Sequence, residues 1–187
     1  MAGAINFLTD HGVDSLRLDR LAQRLGVTKG SFYWHFESRE ELLEVILRRW
    51  REGLSIEVAG LLGKREGKPL DRLRQLMTLA FADRPDVPGG PLEMTLRGWA
   101  RSNARVREII RHADASRIAN IQSLYLEAGI NRERASAYAV IHVTFVTASR
   151  MMLAHASRAQ LDRSRDIGIR YLIDRLDSDL IRPPAPA

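Results

Sequence analysis

The stretch Leu16-Arg-Leu-Asp-Arg-Leu-Ala-Gln-Arg-Leu-Gly-Val-Thr-Lys-Gly-Ser-Phe-Tyr-Trp-His-Phe36 decides how the first part of this chain folds. Leu18, Leu21, Ala22 and Leu25 recur at helical spacing, which predicts a short amphipathic helix from Leu18 to Leu25 with these four inward. Gly26 supplies a left-handed stop, Val27 is expected to plug the core, and Thr28 caps a second short helix. Together they spell a helix-turn-helix with a turn of about three residues around glycine. Ala22 is small where the two helices must approach closely. Phe32 and Phe36, four apart, are expected to face the core. Lys29, Ser31, Tyr33, Trp34 and His35 are left to project outward.

The pattern outside this stretch is helical throughout. Ser38-Arg-Glu-Glu41 reads as a capping box, and Leu42, Val45, Ile46 and Trp50 follow at helical spacing, predicting a helix from about Ser38 to Leu62. Gly63–Pro69 and Asp83–Pro91 are loops by their glycine and proline content. Leu70, Leu73, Leu76, Met77, Ala80 and Phe81 form the next apolar stripe. Ile109, Ile110, Ile118, Ile121, Leu124 and Leu126 lie in a longer, arginine-rich one. Gly129 is placed to close that helix and Asn131 to cap the next. No segment alternates long enough to make a strand, so the chain is read as all-α.

Ala135–Ser149 contains no charged residue. A helix apolar around most of its circumference is buried on most sides or lies in a membrane. His142, Thr144, Thr147, Ser149 and the adjacent Arg150 argue against a bilayer span. The expectation is a helix covered by neighbours on one side and by a second subunit on the other. A final helix from about Ser157 to Asp177 carries Leu161, Ile169, Leu172, Ile173 and Leu176, and the Pro/Ala-rich tail cannot continue it.

Composition narrows the function. The 187 residues include no cysteine, so disulfides, thiolate metal sites and thiol redox chemistry are excluded. Met1–Asp10 has no basic region followed by an apolar core and does not read as a signal peptide, which suits a cytoplasmic protein. His11, His35, His112, His142 and His155 form no two-ligand metal spacing, and no metal site is expected. There is no glycine-rich phosphate loop, nucleophile elbow or paired-carboxylate signature, so no enzyme activity and no cofactor are expected. A small all-α enzyme remains only as an alternative. The net charge of +6 invites a nucleic-acid reading. Yet Met1–Glu52 holds Arg17, Arg20, Arg24, Lys29, Arg39, Arg48, Arg49 and Arg51 against Asp10, Asp14, Asp19, Glu37, Glu40, Glu41, Glu44 and Glu52, for no net charge. Any such reading must rest on positioned residues.

Those residues suit DNA. The start of a helix offers unpaired N–H groups to phosphate. Thr28 and Ser31 can bond phosphates or base edges, and Lys29 can reach phosphate or guanine. Gly30 permits close approach to the backbone, Tyr33 and His35 can donate to phosphates, and Trp34 can pack on sugar or thymine methyl groups. Arg101, Arg105, Arg107 and Arg111 are read as a solvated helix face.

The arrangement Gly12, Ala22, Gly26-Val27-Thr28-Lys29-Gly30-Ser31-Phe32-Tyr33-Trp34-His35-Phe36 and Arg39, completed by Leu42 and Leu43, resembles the DNA-binding domain of the TetR (tetracycline repressor) family. The likeness covers roughly residues 4 to 47. It implies a nine-helix homodimeric repressor with a helix-turn-helix domain over 1–47, a ligand-binding and dimerisation domain over 48–182, and a disordered tail over 183–187. It also implies a palindromic double-stranded operator, release by a small-molecule effector, and Arg17, Thr28, Lys29, Gly30, Ser31, Tyr33, Trp34, His35 and Arg39 as the DNA-binding residues. A DNA-binding or interaction protein without an effector is the alternative. The family pattern begins before Met1, with a basic arm and a first helical turn that this chain does not carry. The usual Ser/Thr cap of the second helix is here Arg17, which forgoes a capping bond of ~1 kcal/mol and offers a guanidinium to the phosphates.

The effector site is read from residue chemistry. Phe81, Met94, Trp99, Tyr125, Tyr138, His142, Phe145 and Met152 can all line a cavity or fill a core. Trp99, Tyr125 and His142 are the chosen ligand-binding candidates, because each carries a polar group that needs a buried partner. Asp83–Pro91 is expected to flank the entrance.

Overall fold

The computed structural model describes residues 1–63, 67–82 and 90–176, with the backbone alone for 54–63. Among these residues there are nine α-helices and no strand, as the apolar spacing requires. They are α1 (Ala2–His11), α2 (Leu18–Arg24), α3 (Lys29–His35), α4 (Arg39–Gly63), α5 (Pro69–Ala80), α6 (Gly90–Ala100), α7 (Ala104–Glu127), α8 (Arg132–Met152) and α9 (Arg158–Ile169). A π-helical turn, Arg170–Asp174, continues α9. Residues 64–66 and 83–89, within the two expected loops, and the tail 183–187 lie outside the described residues.

The chain divides into two compact units, one of Met1–Ser55 with Arg84–Arg111 and one of Ile56–Asp83 with His112–Ala187. In the first, Phe7 and Leu8 of α1, Leu18, Leu21 and Ala22 of α2, Phe32 of α3, and Leu42, Leu43, Ile46, Leu47 and Trp50 of α4 are buried. Leu92 and Leu96 of α6 are buried too, and α6 packs against α1. Trp50 donates its indole N–H to Glu93 Oε2 (2.8 Å), and Arg97 donates to Glu93 Oε1 from Nη2 (2.7 Å). A buried carboxylate is tolerated here because charged and neutral donors satisfy it.

Local chemistry sets the helix ends. Gly26 has φ +67° and Gly129 φ +85°, both in the left-handed region. Val27 and Gly26 donate to the Ala22 and Gln23 carbonyls, and Ile130 and Gly129 donate to those of Tyr125 and Leu126. Each set of bonds is a Schellman motif that satisfies the last carbonyls of its helix. Asn131 caps α8 by accepting from the Arg134 N–H (2.9 Å). Ser38 accepts from the Glu41 N–H as expected, but the Glu41 carboxylate accepts from the Glu37 N–H, one residue earlier than a capping box requires.

Three expected core positions sit differently. Leu25 is 40% exposed and lies over α1 at Gly3, where a Cβ would come within 2.3 Å of its Cδ2. Val27 is 42% exposed and does not plug the core. Phe36 is half-buried, tilted against Phe32 with ring centroids 5.6 Å apart, while Phe32 alone of the pair is buried. The turn and the short α3 lie at the edge of the unit, too far out for all their apolar groups to be covered.

The second unit has a core of Leu70, Leu73 and Leu76 from α5, Ile121, Leu124 and Tyr125 from α7, Ala135 and Ala139 from α8, and Ile173 and Leu176 near the end of the described residues. Gly168 lets α9 approach α8: a Cβ there would lie 2.4 Å from Phe145 Cε1. The charge-free stretch Ala135–Ser149 of α8 buries Ala135, Ala139 and His142 and exposes Val140 and Ile141 on the other side.

Candidate nucleic-acid interface

The site is built on α3. Thr28 has extended backbone angles, and its Oγ1 accepts from the Ser31 N–H at 3.1 Å, so α3 begins where the sequence requires. With Phe32 inward, Lys29, Gly30, Ser31, Tyr33, Trp34 and His35 are all exposed. Trp34 is 82% exposed, with the His35 ring edge-on to it, centroids 4.7 Å apart. An indole so exposed stabilises nothing in the isolated fold. A Cβ at Gly30 would meet no atom of the protein within 4 Å, so no contact within the fold demands glycine there.

Lys29 is not free in solvent. Its Nζ donates to Asp19 Oδ2 on α2 at 2.8 Å, and this hydrogen bond raises its pKa above the ordinary lysine value. Arg17 is exposed at the start of α2 and makes no side-chain capping bond. With Asp19, Tyr33, Glu37, Ser38 and Arg39 it borders a shallow hollow of about 290 Å³.

Arg39 has an internal role beside the one the resemblance implies. Its Nε donates to the Leu16 carbonyl (3.1 Å) and its Nη2 to the Val13 carbonyl (2.9 Å), with Glu40 on Nη1. The guanidinium thereby clamps the α1–α2 connection to the start of α4 within the helix-turn-helix head. Arginine reads equally well as a phosphate contact or an internal clamp until the carbonyls opposite it are known. The arginine run behaves as expected of a solvated face: Arg105 pairs with Glu44, Arg111 with Glu108, and Arg107 donates to the Ala100 carbonyl.

The ligand candidates are divided between the two units. Trp99 is half-buried on α6 in the first unit, whereas Tyr125 and His142 are buried in the second. Tyr125 Oη lies 3.1 Å from His142 Nδ1 and 3.2 Å from the Leu172 carbonyl. The arrangement satisfies all three groups when Nδ1–H donates to the phenol and the phenol donates to the carbonyl. Burial pushes His142 down to about 4 and raises the Tyr125 phenol above its ordinary value. These side chains supply one another with the partner that a ligand was expected to bring. Met94 and Met152 are exposed, and residues 83–89 of the expected entrance lie outside the described residues. Sequence reading misses Asp19, Glu93 and the clamp role of Arg39, since each depends on a partner at long range. Among the described residues no three His, Asp or Glu converge as metal ligands, and no helix is long and apolar enough to cross a membrane.

Comparison with known proteins places this geometry. Residues 1–46 match the family described as "Bacterial regulatory proteins, tetR family". The chain is similar to the HTH-type transcriptional regulator SrpR of Pseudomonas putida, with 33% identity over 85 residues, 46% of this chain and 37% of that protein. It is similar also to tetracycline repressor protein class C of Escherichia coli, with 42% identity over 43 residues, 23% of this chain and 20% of that one. The matched stretches thus span well under two thirds of these relatives. A transcriptional regulator from Rhodococcus sp. Rha1 shares the fold, with a TM-score of 0.71 at 18% identity, covering 92% of this chain and 93% of that one. The matched family is one of regulatory proteins and not of enzymes. Residues 1–46 thus match the tetR family of bacterial regulatory proteins, and the all-helical fold of the chain is shared with solved transcriptional regulators.

Proposed function

We propose that this protein is a cytoplasmic, homodimeric transcriptional repressor that binds a palindromic DNA operator and is released by a small-molecule effector. The observation that carries this reading is the outward face of α3, where Ser31, Tyr33, Trp34 and His35 are exposed beside Lys29, which is held by Asp19. Thr28, Gly30 and Arg17 complete the contact surface, and Arg39 supports it as a clamp on the Leu16 and Val13 carbonyls. The DNA-binding part is 1–47, and 48–182 serves ligand binding and dimerisation.

Dimerisation is supported by apolar groups left outward in the second unit, Val140 and Ile141 on α8 and Ile167 and Tyr171 on α9 and its π-helical continuation. A twofold dimer sets two recognition helices about one DNA turn apart, hence an inverted repeat as operator. An effector bound within 48–182 favours a state in which α4 has shifted and the two heads no longer match the half-site spacing. Tyr125 and His142 remain the residues proposed to meet it, with Trp99 a separate candidate in the first unit. A DNA-binding protein without an effector is the second reading, favoured by the closed bonding of Tyr125, His142 and Leu172.

Anisotropy titration of a labelled duplex from beside the gene, with sedimentation of the complex, tests the proposal. Saturation at two chains per inverted repeat is expected, and absence of binding even at low salt overturns it. Release by one of a panel of aromatic and acyl-chain compounds separates the first reading from the second.

A further inference from the structure

The contact surface contains an acidic residue that no part of the proposed function uses. Asp19, in the first turn of α2, borders the same hollow as Arg17 and Tyr33, and its Oδ2 accepts from Lys29 Nζ at 2.8 Å. Both side chains are more than half exposed, 68% for Lys29 and 52% for Asp19. An exposed ion pair contributes little to folding. A carboxylate on a surface that approaches phosphates also weakens non-specific attraction. The pair is therefore costly for plain DNA affinity and nearly neutral for the fold.

Its geometry has a use in reading sequence. A lysine ammonium is a flexible point charge that samples many phosphates. Paired with Asp19, Lys29 has its ammonium restrained beside the first turn of α2 and keeps two N–H donors. That matches the two adjacent acceptors, O6 and N7, on a guanine edge. The second Asp19 oxygen remains an acceptor, the complement of a cytosine N4 amino group.

Resting on the DNA-binding reading, we infer that Asp19 is a specificity-determining residue, which fixes Lys29 as the reader of a G·C pair in each half-site. Asp19 contributes discrimination rather than affinity.

The test uses the full-length chain and the duplex it enriches most strongly from a random library, with a scrambled duplex of equal length as the non-specific probe. In the wild type, changing one G·C pair per half-site to A·T lowers affinity by roughly tenfold or more. In Asp19→Asn that penalty falls several-fold, the scrambled duplex binds more tightly, and the salt dependence on it steepens by about 0.9 per head as Lys29 turns to phosphate. Asp19→Ser is expected to behave alike, with unchanged thermal midpoints as the folding control for both. In a Lys29→Met background Asp19→Asn leaves the G·C penalty unchanged. The inference is overturned if Asp19→Asn leaves penalty and slope as in the wild type, or if its effect on the penalty persists without Lys29. A wild type that enriches no sequence overturns the DNA-binding reading itself, and this inference with it.

Discussion

The same helix ending is built twice in this protein, at Gly26 and at Gly129, with equivalent backbone bonds and both glycines at positive φ. The residue after each glycine meets a different environment. Ile130 is 6% exposed and belongs to the core of the second unit, while Val27 is 42% exposed on the rim of the head. Chemistry within a few residues specifies the turn in both places. How deep the turn sits is decided by helices far away in sequence. The second unit turns its polar groups on one another, as in Tyr125, His142 and Leu172. The head leaves Trp34, Tyr33 and Val27 to water. The buried polar groups of one region are closed within the fold, while the outward side of α3 in the other is left uncovered.

The largest effect that probes this contrast is expected at Phe32, the one buried side chain of α3. Phe32→Ala should destabilise the head by ~3–5 kcal/mol in urea unfolding and abolish DNA binding with it. Phe36→Ala, at a half-buried position, should cost clearly less. The two turns can be compared directly: Ile130→Ala should cost ~2–5 kcal/mol, and Val27→Ala below ~1 kcal/mol. Equal costs at the two positions would erase the difference between the regions.

Acid should find the second unit. His142 is held neutral by burial, with its pKa pushed down to about 4 from an ordinary 6.5. The unfolded chain takes up this proton below pH 6.5 and the folded chain only near 4. The stability concerned is intact above pH 6.5 and is lost progressively as pH falls towards 4, by up to ~3 kcal/mol. Unfolding free energies at pH 7.5 and 4.5 should differ less in His142→Gln than in the wild type. Smaller still is Tyr33→Ala, expected to weaken DNA binding by about tenfold while moving the thermal midpoint hardly at all.

The same contrast explains how much of the fold and site is legible in the sequence. Gly26, Thr28, Gly129 and Asn131 act on neighbours within five residues, and the structure places each as the sequence predicts. Phe32 and the α5 stripe declare their inward faces by spacing alone. Leu25 and Val27 read as inward because apolarity does not reveal whether another helix covers them. The clamp made by Arg39 is hidden from the sequence because the Leu16 and Val13 carbonyls that engage it lie more than twenty residues away. Tyr125 and His142 read as ligand residues because each needs a partner, and spacing cannot show that each supplies the other's. Lys29 is evident from its place in the motif, but Asp19, which orients it, is not.

Whether the head reads DNA sequence through α3 is tested most directly by selecting bound duplexes from a random library with the full-length protein at about 50 mM salt. The expected pool carries an inverted repeat with half-sites centred about one helical turn apart, and loses it when Lys29 and Tyr33 are both replaced by alanine. A pool with no repeated sequence, or the same repeat recovered by the double variant, would refute the reading.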